Sequence, residues 1–512
     1  MPTERPNFLF IQCDQLAARA LKAYGNKTVK APNIDRLAER GVVFESAYCN
    51  LPMCGPSRAS MMCGQRPFSI GMYDNASEFH ADIPTFAHYL RSFGYRTWLA
   101  GKMHFVGPDQ MHGFEKRLTT EIYPANFAWT VDWSKGRECR PTNLTMATVL
   151  ASGPAIRTMQ MDYDDEVAFA GSQALYDLAR EDDGRPFFLG VSFTSPHSPY
   201  VIGQEYWDRY DHDDIEAPTV APLDLAAMDH LSRNLHFCQC RDKFSMTVED
   251  RRRARHGYYG MISFVDDHIG RIMDVLEKTG LADNTIVIFT SDHGDMMGER
   301  GMWFKQHFFE WAAQIPFIVT APERYQPTRV AQNISLVDLA PTLVDLAKPG
   351  FDGFAVALDG ISLAMALEGD SSLLPDIAVS EFAADGSTGP NRMIRKGPWK
   401  MMDLEGEDSR LYNVADDPTE VRNLVDDVAH AATRKTLEAE LLALWERDAM
   451  YEEIRASQRR RLVIHNVTGG DPTYVHAVRY DDAHRYVRNA GAADTKAKAR
   501  LPRVAEPQPD QQ

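Results

Sequence analysis

Residues 285–295 read TIVIFTSDHGD. Six residues rich in β-branched and aromatic side chains, 285–290, give way to Ser291-Asp292-His293-Gly294-Asp295, so an apolar strand delivers a polar cluster at its carboxyl end. The pattern recurs at 7–13 before Asp14, at 97–100 before Lys102, and at 187–193 before His197. In open parallel α/β sheets ligands sit outside the carboxyl ends of the strands, where loops converge on positions that the strands fix. The clusters are therefore expected to meet at one site. Helical stretches at 34–40, 85–92, 165–181 and 251–278 supply the alternation of an α/β fold with a large, mostly parallel sheet flanked by helices.

The 512 residues suffice for one large core, expected over 1–375, and a smaller appendage. The tract 200–250, rich in Asp, Pro and His, reads as a long insertion lying over the site as a lid. Strand candidates at 393–395 and 399–402 and a helix over 433–449 predict a small α+β subdomain spanning 376–450. Residues 451–512, with Arg459-Arg460-Arg461, Tyr474, Tyr480, Tyr486 and a Pro-Gln-rich end, read as an extended tail that wraps a neighbouring subunit, giving a homo-oligomer, a dimer or tetramer.

A formal net charge of −17 argues against a polyanion binder and hence against nucleic acid as a partner. The opening residues lack the basic and apolar regions of a signal peptide, and no run of about 18 apolar residues spans a bilayer. The expectation is a cytoplasmic protein without a membrane partner. Seven cysteines at irregular spacing fit reduced thiols better than a disulfide framework, and Cys238-Gln239-Cys240 lacks the partners of a zinc site.

Cys54-Gly55-Pro56-Ser57-Arg58 resembles the C-x-P-S-R modification signature of the type I sulfatases, whose cysteine becomes formylglycine. The resemblance implies a maturation enzyme that generates the aldehyde. Hydrated, that aldehyde presents two hydroxyls, one to attack an ester and one to expel the captured group. Asp14, Asp292 and His293 supply oxygen and nitrogen donors from distant sequence. With hydrated residue 54 they suit a hard divalent cation, Ca²⁺ first, with Mn²⁺ and Mg²⁺ open. Lys102 and His104 stand in Gly101-Lys102-Met103-His104, where the lysine can hold an anion and the histidine can take a proton from the second hydroxyl. His197 and Lys305 are candidates for anion binding and leaving-group protonation. Arg58 lies in the turn after Cys54, where its guanidinium and the helix amides can hold the hydrated aldehyde.

From the first strand to about residue 424 the chain resembles sulfatases of the alkaline phosphatase superfamily, and the segment 395–400, RKGPWK, is similar to that family's C-terminal subdomain. The resemblance is strongest to the choline sulfatases, through Tyr73-Asp74-Asn75-Ala76, the run 101–124 (GKMHFVGPDQMHGFEKRLTTEIYP), 291–305 (SDHGDMMGERGMWFK) and 457–466 (SQRRRLVIHN). It implies an alkaline-phosphatase-like sandwich that hydrolyses a small sulfate ester, choline O-sulfate in the first instance. The implied metal set is Asp14, Cys54, Asp292 and His293. The implied anion-binding and proton-transfer set is Arg58, Asn75, Lys102, His104, His197 and Lys305. Asp14 is followed by Gln15 where the family commonly pairs aspartates, which leaves Gln15 a weak ligand. Trp129 and Asp494 match a pocket for a quaternary ammonium group, the latter contributed by a neighbour's tail. Thr142 stands where that pattern has histidine, and Asp385 where it has glutamate. Another alkyl sulfate, or a phosphonate monoester or phosphodiester, is the alternative substrate. A silent binding protein that keeps Cys54 as a thiol is the alternative of a different class.

Overall fold

The strand Asn7–Cys13 alternates its side chains between two cores: Phe8 and Phe10 join one, Leu9, Ile11 and Cys13 the other, and all five are buried. A strand apolar on both faces belongs in the middle of a sheet covered on both sides. In the computed structural model, which describes residues 5–468 apart from Asn143 and Asp182, it pairs in parallel with Phe187–Ser192 on one side and Thr285–Ser291 on the other. Arg96–Gly101 extends the sheet in parallel beyond Phe187–Ser192, followed by the short Lys116–Arg117. Beyond Thr285–Ser291 runs the antiparallel Phe317–Thr320, then Val42–Tyr48 and Thr328–Ser335, which are parallel to one another. The result is a mostly parallel nine-stranded sheet, with Gln314–Ile315 pairing antiparallel to Val42–Tyr48. Helices Pro32–Arg40, Met159–Arg180 and Val248–Lys278 pack on one face, and Cys54–Cys63, Phe86–Ser92 and Leu339–Ala347 on the other.

The C-terminal part is an antiparallel four-stranded sheet, Ile377–Phe382, Asn391–Lys396, Trp399–Leu404 and Asp408–Asn413. Ile394, Met401 and Leu411 on one face pack with Leu437 and Leu441 of the helix Ala431–Leu442. Phe382, Met393, Met402 and Tyr412 on the other join the main core. Across that junction Lys400 is fully buried and pairs with Glu310 at 2.5 Å and Glu420 at 2.8 Å, while Arg395 Nε donates to Tyr48 Oη at 2.9 Å. RKGPWK thus fastens the small sheet to the large one through buried charge.

Three sequence expectations are corrected. The tract 200–250, read as an insertion lying over the site as a lid, holds Val201–Gly203, paired with Gly153–Ala155, and the helix His230–Cys238, and none of its residues lines the cavity described below. The helix expected over 165–181 begins earlier, at Met159, because Thr158 caps it by accepting from Met161 N. The helix expected over 433–449 is two, Ala431–Leu442 and Arg447–Thr468, the second running well into the stretch read as an extended tail. Among the described residues no helix is long and apolar enough to cross a membrane. Tyr474, Tyr480, Tyr486 and Asp494 lie outside the described residues.

Candidate active site

The register of the central strands brings their polar ends to one level: Cys13 lies opposite Ser291, Gln12 opposite Ser192, and Ser192 opposite Gly101. Asp14, Asp292 and Lys102 follow directly. At Gly101 (φ 101°) a Cβ would stand 1.9 Å from Ser192 O, so only glycine turns the chain here and lets Lys102 N donate to that carbonyl at 3.0 Å. Gln15, His104, Phe304 and Gln306 all have positive φ, between 57° and 77°. Such left-handed backbone in non-glycine residues is held by its surroundings and clusters at functional sites.

Cys54 begins the helix Cys54–Cys63, every residue of which is buried. Its Sγ lies 3.2 Å from His293 Nε2 and 3.6 Å from Asp14 Oδ1. One donor atom each from Asp14, Cys54, Asp292 and His293 falls within 4.8 Å of the others, and all four residues are buried. His293 Nδ1 donates to Gly294 O at 3.0 Å, which leaves Nε2 free to act as a ligand. Two carboxylates, an imidazole and an oxygen on residue 54, for which the thiol stands in, fit a hard divalent cation. Gln15 is engaged elsewhere, its amide bridging Lys305 Nζ and Asp295.

Cations surround this cluster. Arg58 Nε donates to Asp292 Oδ2 at 2.8 Å, and its Nη1 to Gln12, Ser192 Oγ and the carbonyl of Lys102. Lys102 pairs with Asp14 and lies 4.2 Å from the centre of the Tyr123 ring. Burial alone would raise the Cys54 thiol, but Lys102, Lys305 and His293 together hold it well below its ordinary value. Burial likewise opposes ionisation of Asp292, and Arg58 overrides it and keeps the carboxyl ionised. The field at residue 54 therefore favours an anion.

Above Cys54 opens a cavity of about 420 Å³, lined among others by Asn75, His104, Tyr123, Trp129, Thr142, His197, Lys305 and Asp385. Asn75 Oδ1 accepts from Gly55 N at 2.9 Å. His197 Nδ1 donates to Ser198 O at 2.6 Å, and its Nε2 meets Lys305 Nζ at 2.9 Å. The buried His104 ring stacks on Tyr123 with centroids 5.1 Å apart and meets the edge of Trp129 at 5.6 Å. Both of its ring nitrogens lack a hydrogen-bond partner of normal geometry among the described residues. On the cavity wall Thr142 Oγ1 donates to Asp385 Oδ2 at 2.6 Å.

The structure thus brings together the catalytic, metal and pocket residues singled out in the sequence that lie among the described residues; Asp494 lies outside them. Lys102, Arg58, Asp14, Asp292 and His293 lie beneath the cavity floor, and the others line it. Two supporting acids escape a sequence reading. Glu121 accepts from Met103 N and His104 N; burial opposes its charge, but Arg117 and these amides bring its carboxyl down to about 2. Asp164 accepts from Thr194 N and Ser195 N and so holds the loop that carries His197.

A family model described as Sulfatase matches residues 6–349, and one described as N-sulphoglucosamine sulphohydrolase, C-terminal, matches 298–447. A choline-sulfatase of Rhizobium meliloti (strain 1021) is 39% identical over 98% of this chain and 100% of its own length. An arylsulfatase of Clostridium perfringens is 27% identical over 82% of this chain and 90% of its own. Among solved structures, a phosphonate monoester hydrolase of Agrobacterium radiobacter superimposes with a TM-score of 0.69 at 26% identity, covering 89% of this chain and 96% of that one.

Proposed function

The chain belongs to the sulfatase family, and from that premise we propose that this sulfuric-ester hydrolase acts on choline O-sulfate. The observation that carries the proposal is the pairing, in one cavity, of the aromatic face of Trp129 with the buried carboxyl of Asp385, on walls above the cationic floor around Cys54. A quaternary ammonium group donates no hydrogen bond. It is recognised by aromatic faces and by a nearby negative charge. The extent of the likeness to a choline-sulfatase supports the same substrate.

Converted to formylglycine and hydrated, Cys54 supplies the attacking hydroxyl and the second hydroxyl that later expels the captured group. Asp14, Asp292 and His293 with residue 54 would hold the divalent cation, which we take to be Ca²⁺ and which, when bound, would supply Lewis-acid polarisation of the ester. In the proposed roles Lys102 and Lys305 bind the sulfate oxygens as point charges, and Asn75 orients them. Arg58 keeps Asp292 ionised. His104, close enough to the nucleophile to help hold its thiol down, takes the proton from the second hydroxyl. His197, fixed by the Ser198 carbonyl, presents Nε2 with Lys305 to the leaving oxygen. Seven buried, unpaired cysteines support a reducing, cytoplasmic setting. In the proposed homo-oligomer, the partner for the pocket is Asp494 of a neighbouring tail.

The test is the ratio of kcat/KM for choline O-sulfate to that for its uncharged tert-butyl isostere, which shares shape and leaving group. A ratio of about tenfold or more, about 1.4 kcal/mol, is expected from a desolvated cation–π contact. A ratio near one would keep the sulfatase chemistry but discard choline, leaving neutral alkyl sulfates and, by the likeness to that solved enzyme, phosphonate monoesters as the second reading.

A further inference from the structure

The C-terminal helix Arg447–Thr468 turns one row of side chains inward. Ile454, Gln458 and Arg461, spaced i, i+4, i+7, are its buried residues, and Tyr451 on the same face stacks on Trp133 with centroids 5.1 Å apart. Arg461 is the innermost charge, its side chain 6% exposed. It donates to both oxygens of Asp74, at 2.5 and 3.0 Å, and to Thr130 Oγ1 at 3.3 Å. Asp74 in turn accepts from Ala76 N at 3.0 Å and Val131 N at 3.3 Å. Gln458 Oε1, one turn earlier, accepts from Trp133 N at 3.3 Å.

These contacts tie two separate walls of the cavity to one guanidinium. Asp74 directly precedes Asn75, which accepts from Gly55 N beside the nucleophile. Thr130 directly follows Trp129. We infer that Arg461 is a positioning residue: bound to Asp74 and Thr130 together, it sets the spacing between Asn75, at the sulfate end of the pocket, and Trp129, at the alkyl end. The inference rests on the proposed substrate reading for what the two walls embrace. A planar, forked donor suits this task because it reaches a carboxylate and a hydroxyl at once in fixed geometry, which a single ammonium does not.

The test uses Arg461→Lys in the full chain, which keeps the charge, and, should that variant fail to fold, the neutral pair Arg461→Gln with Asp74→Asn. KM and kcat are measured on choline O-sulfate. Acrylamide quenching of Trp129 is read as the difference between each protein and its Trp129→Phe counterpart. The expected result is a KM raised about tenfold with kcat changed by less than about threefold, together with stronger quenching of Trp129. Quenching of Trp129 that does not change overturns the inference whatever the kinetics, and so does an unchanged KM with a lowered kcat, the mark of a merely structural role. If the wild type hydrolyses no sulfate ester, the substrate reading fails by itself, and the quenching comparison alone decides whether Arg461 positions the wall.

Discussion

Acid should erase recognition of a cationic leaving group through a single carboxyl. Asp385 is 3% exposed in the cavity wall, and burial, only partly offset by the hydrogen bond from Thr142, raises it from the usual 3.8 to about 7. Ionised, it attracts a quaternary ammonium; protonated, it does not. At pH 5.5, about 1.5 units below that midpoint, about one molecule in thirty carries the charge, because the ionised fraction falls tenfold per unit. The ratio of kcat/KM for choline O-sulfate to that for its tert-butyl isostere should therefore fall up to about 30-fold between pH 8.5 and 5.5, with its midpoint near 7. Taking the ratio cancels every titration at the sulfate end. The assay is initial rates at sub-saturating ester and constant ionic strength, on wild type and Asp385→Asn. In the variant the ratio should be low and flat. The folded value of Asp385 lies above the unfolded one, so its contribution to stability is complete at low pH and is lost as pH rises through about 7. Acid thus removes recognition without unfolding the protein through this group. A wild-type ratio that stays constant from pH 5.5 to 8.5 would refute the reasoning.

Three further outcomes are expected. In active protein the mass of the peptide carrying Cys54 should show sulfur replaced by aldehyde oxygen, and Cys54→Ala should abolish turnover; full activity with an intact thiol contradicts the nucleophile. Chelation should inactivate the enzyme and one added divalent ion restore it, and indifference to chelator counts against the Asp14, Asp292 and His293 ligand set. Lys400→Met takes the cation from buried Glu420 and leaves Glu310 with Arg19 at 3.5 Å, so stability should drop by about 3 kcal/mol, read as a lower denaturant midpoint; a loss below about 1 kcal/mol would mean that the cluster behaves as if exposed.

Much of this was legible in the sequence because the decisive strands are apolar on both faces and end in charged residues. Strands 7–13 and 285–290 match the structure to within one residue, and the donors after them converge as parallel topology requires. What escaped has a common physical origin. Glu121 and Asp164 act on backbone amides, which leave no trace in side-chain patterning. The helix His230–Cys238 is flanked by proline- and acid-rich sequence that hides its period. The helix Arg447–Thr468 keeps its inward row at Tyr451, Ile454, Gln458 and Arg461, but half of that row is polar, so Arg459-Arg460-Arg461 reads as part of an extended tail until Asp74 is seen to receive Arg461.

The pairing of Asp74 with Arg461 also sets a schedule. The two residues are 387 positions apart, so a ribosome adding about 5–20 residues per second leaves the Asn75 wall without its brace for roughly 20–80 s. Cys54, 1% exposed in the finished protein, emerges early in that interval. A modifying enzyme would thus meet the cysteine before the closing brace is made.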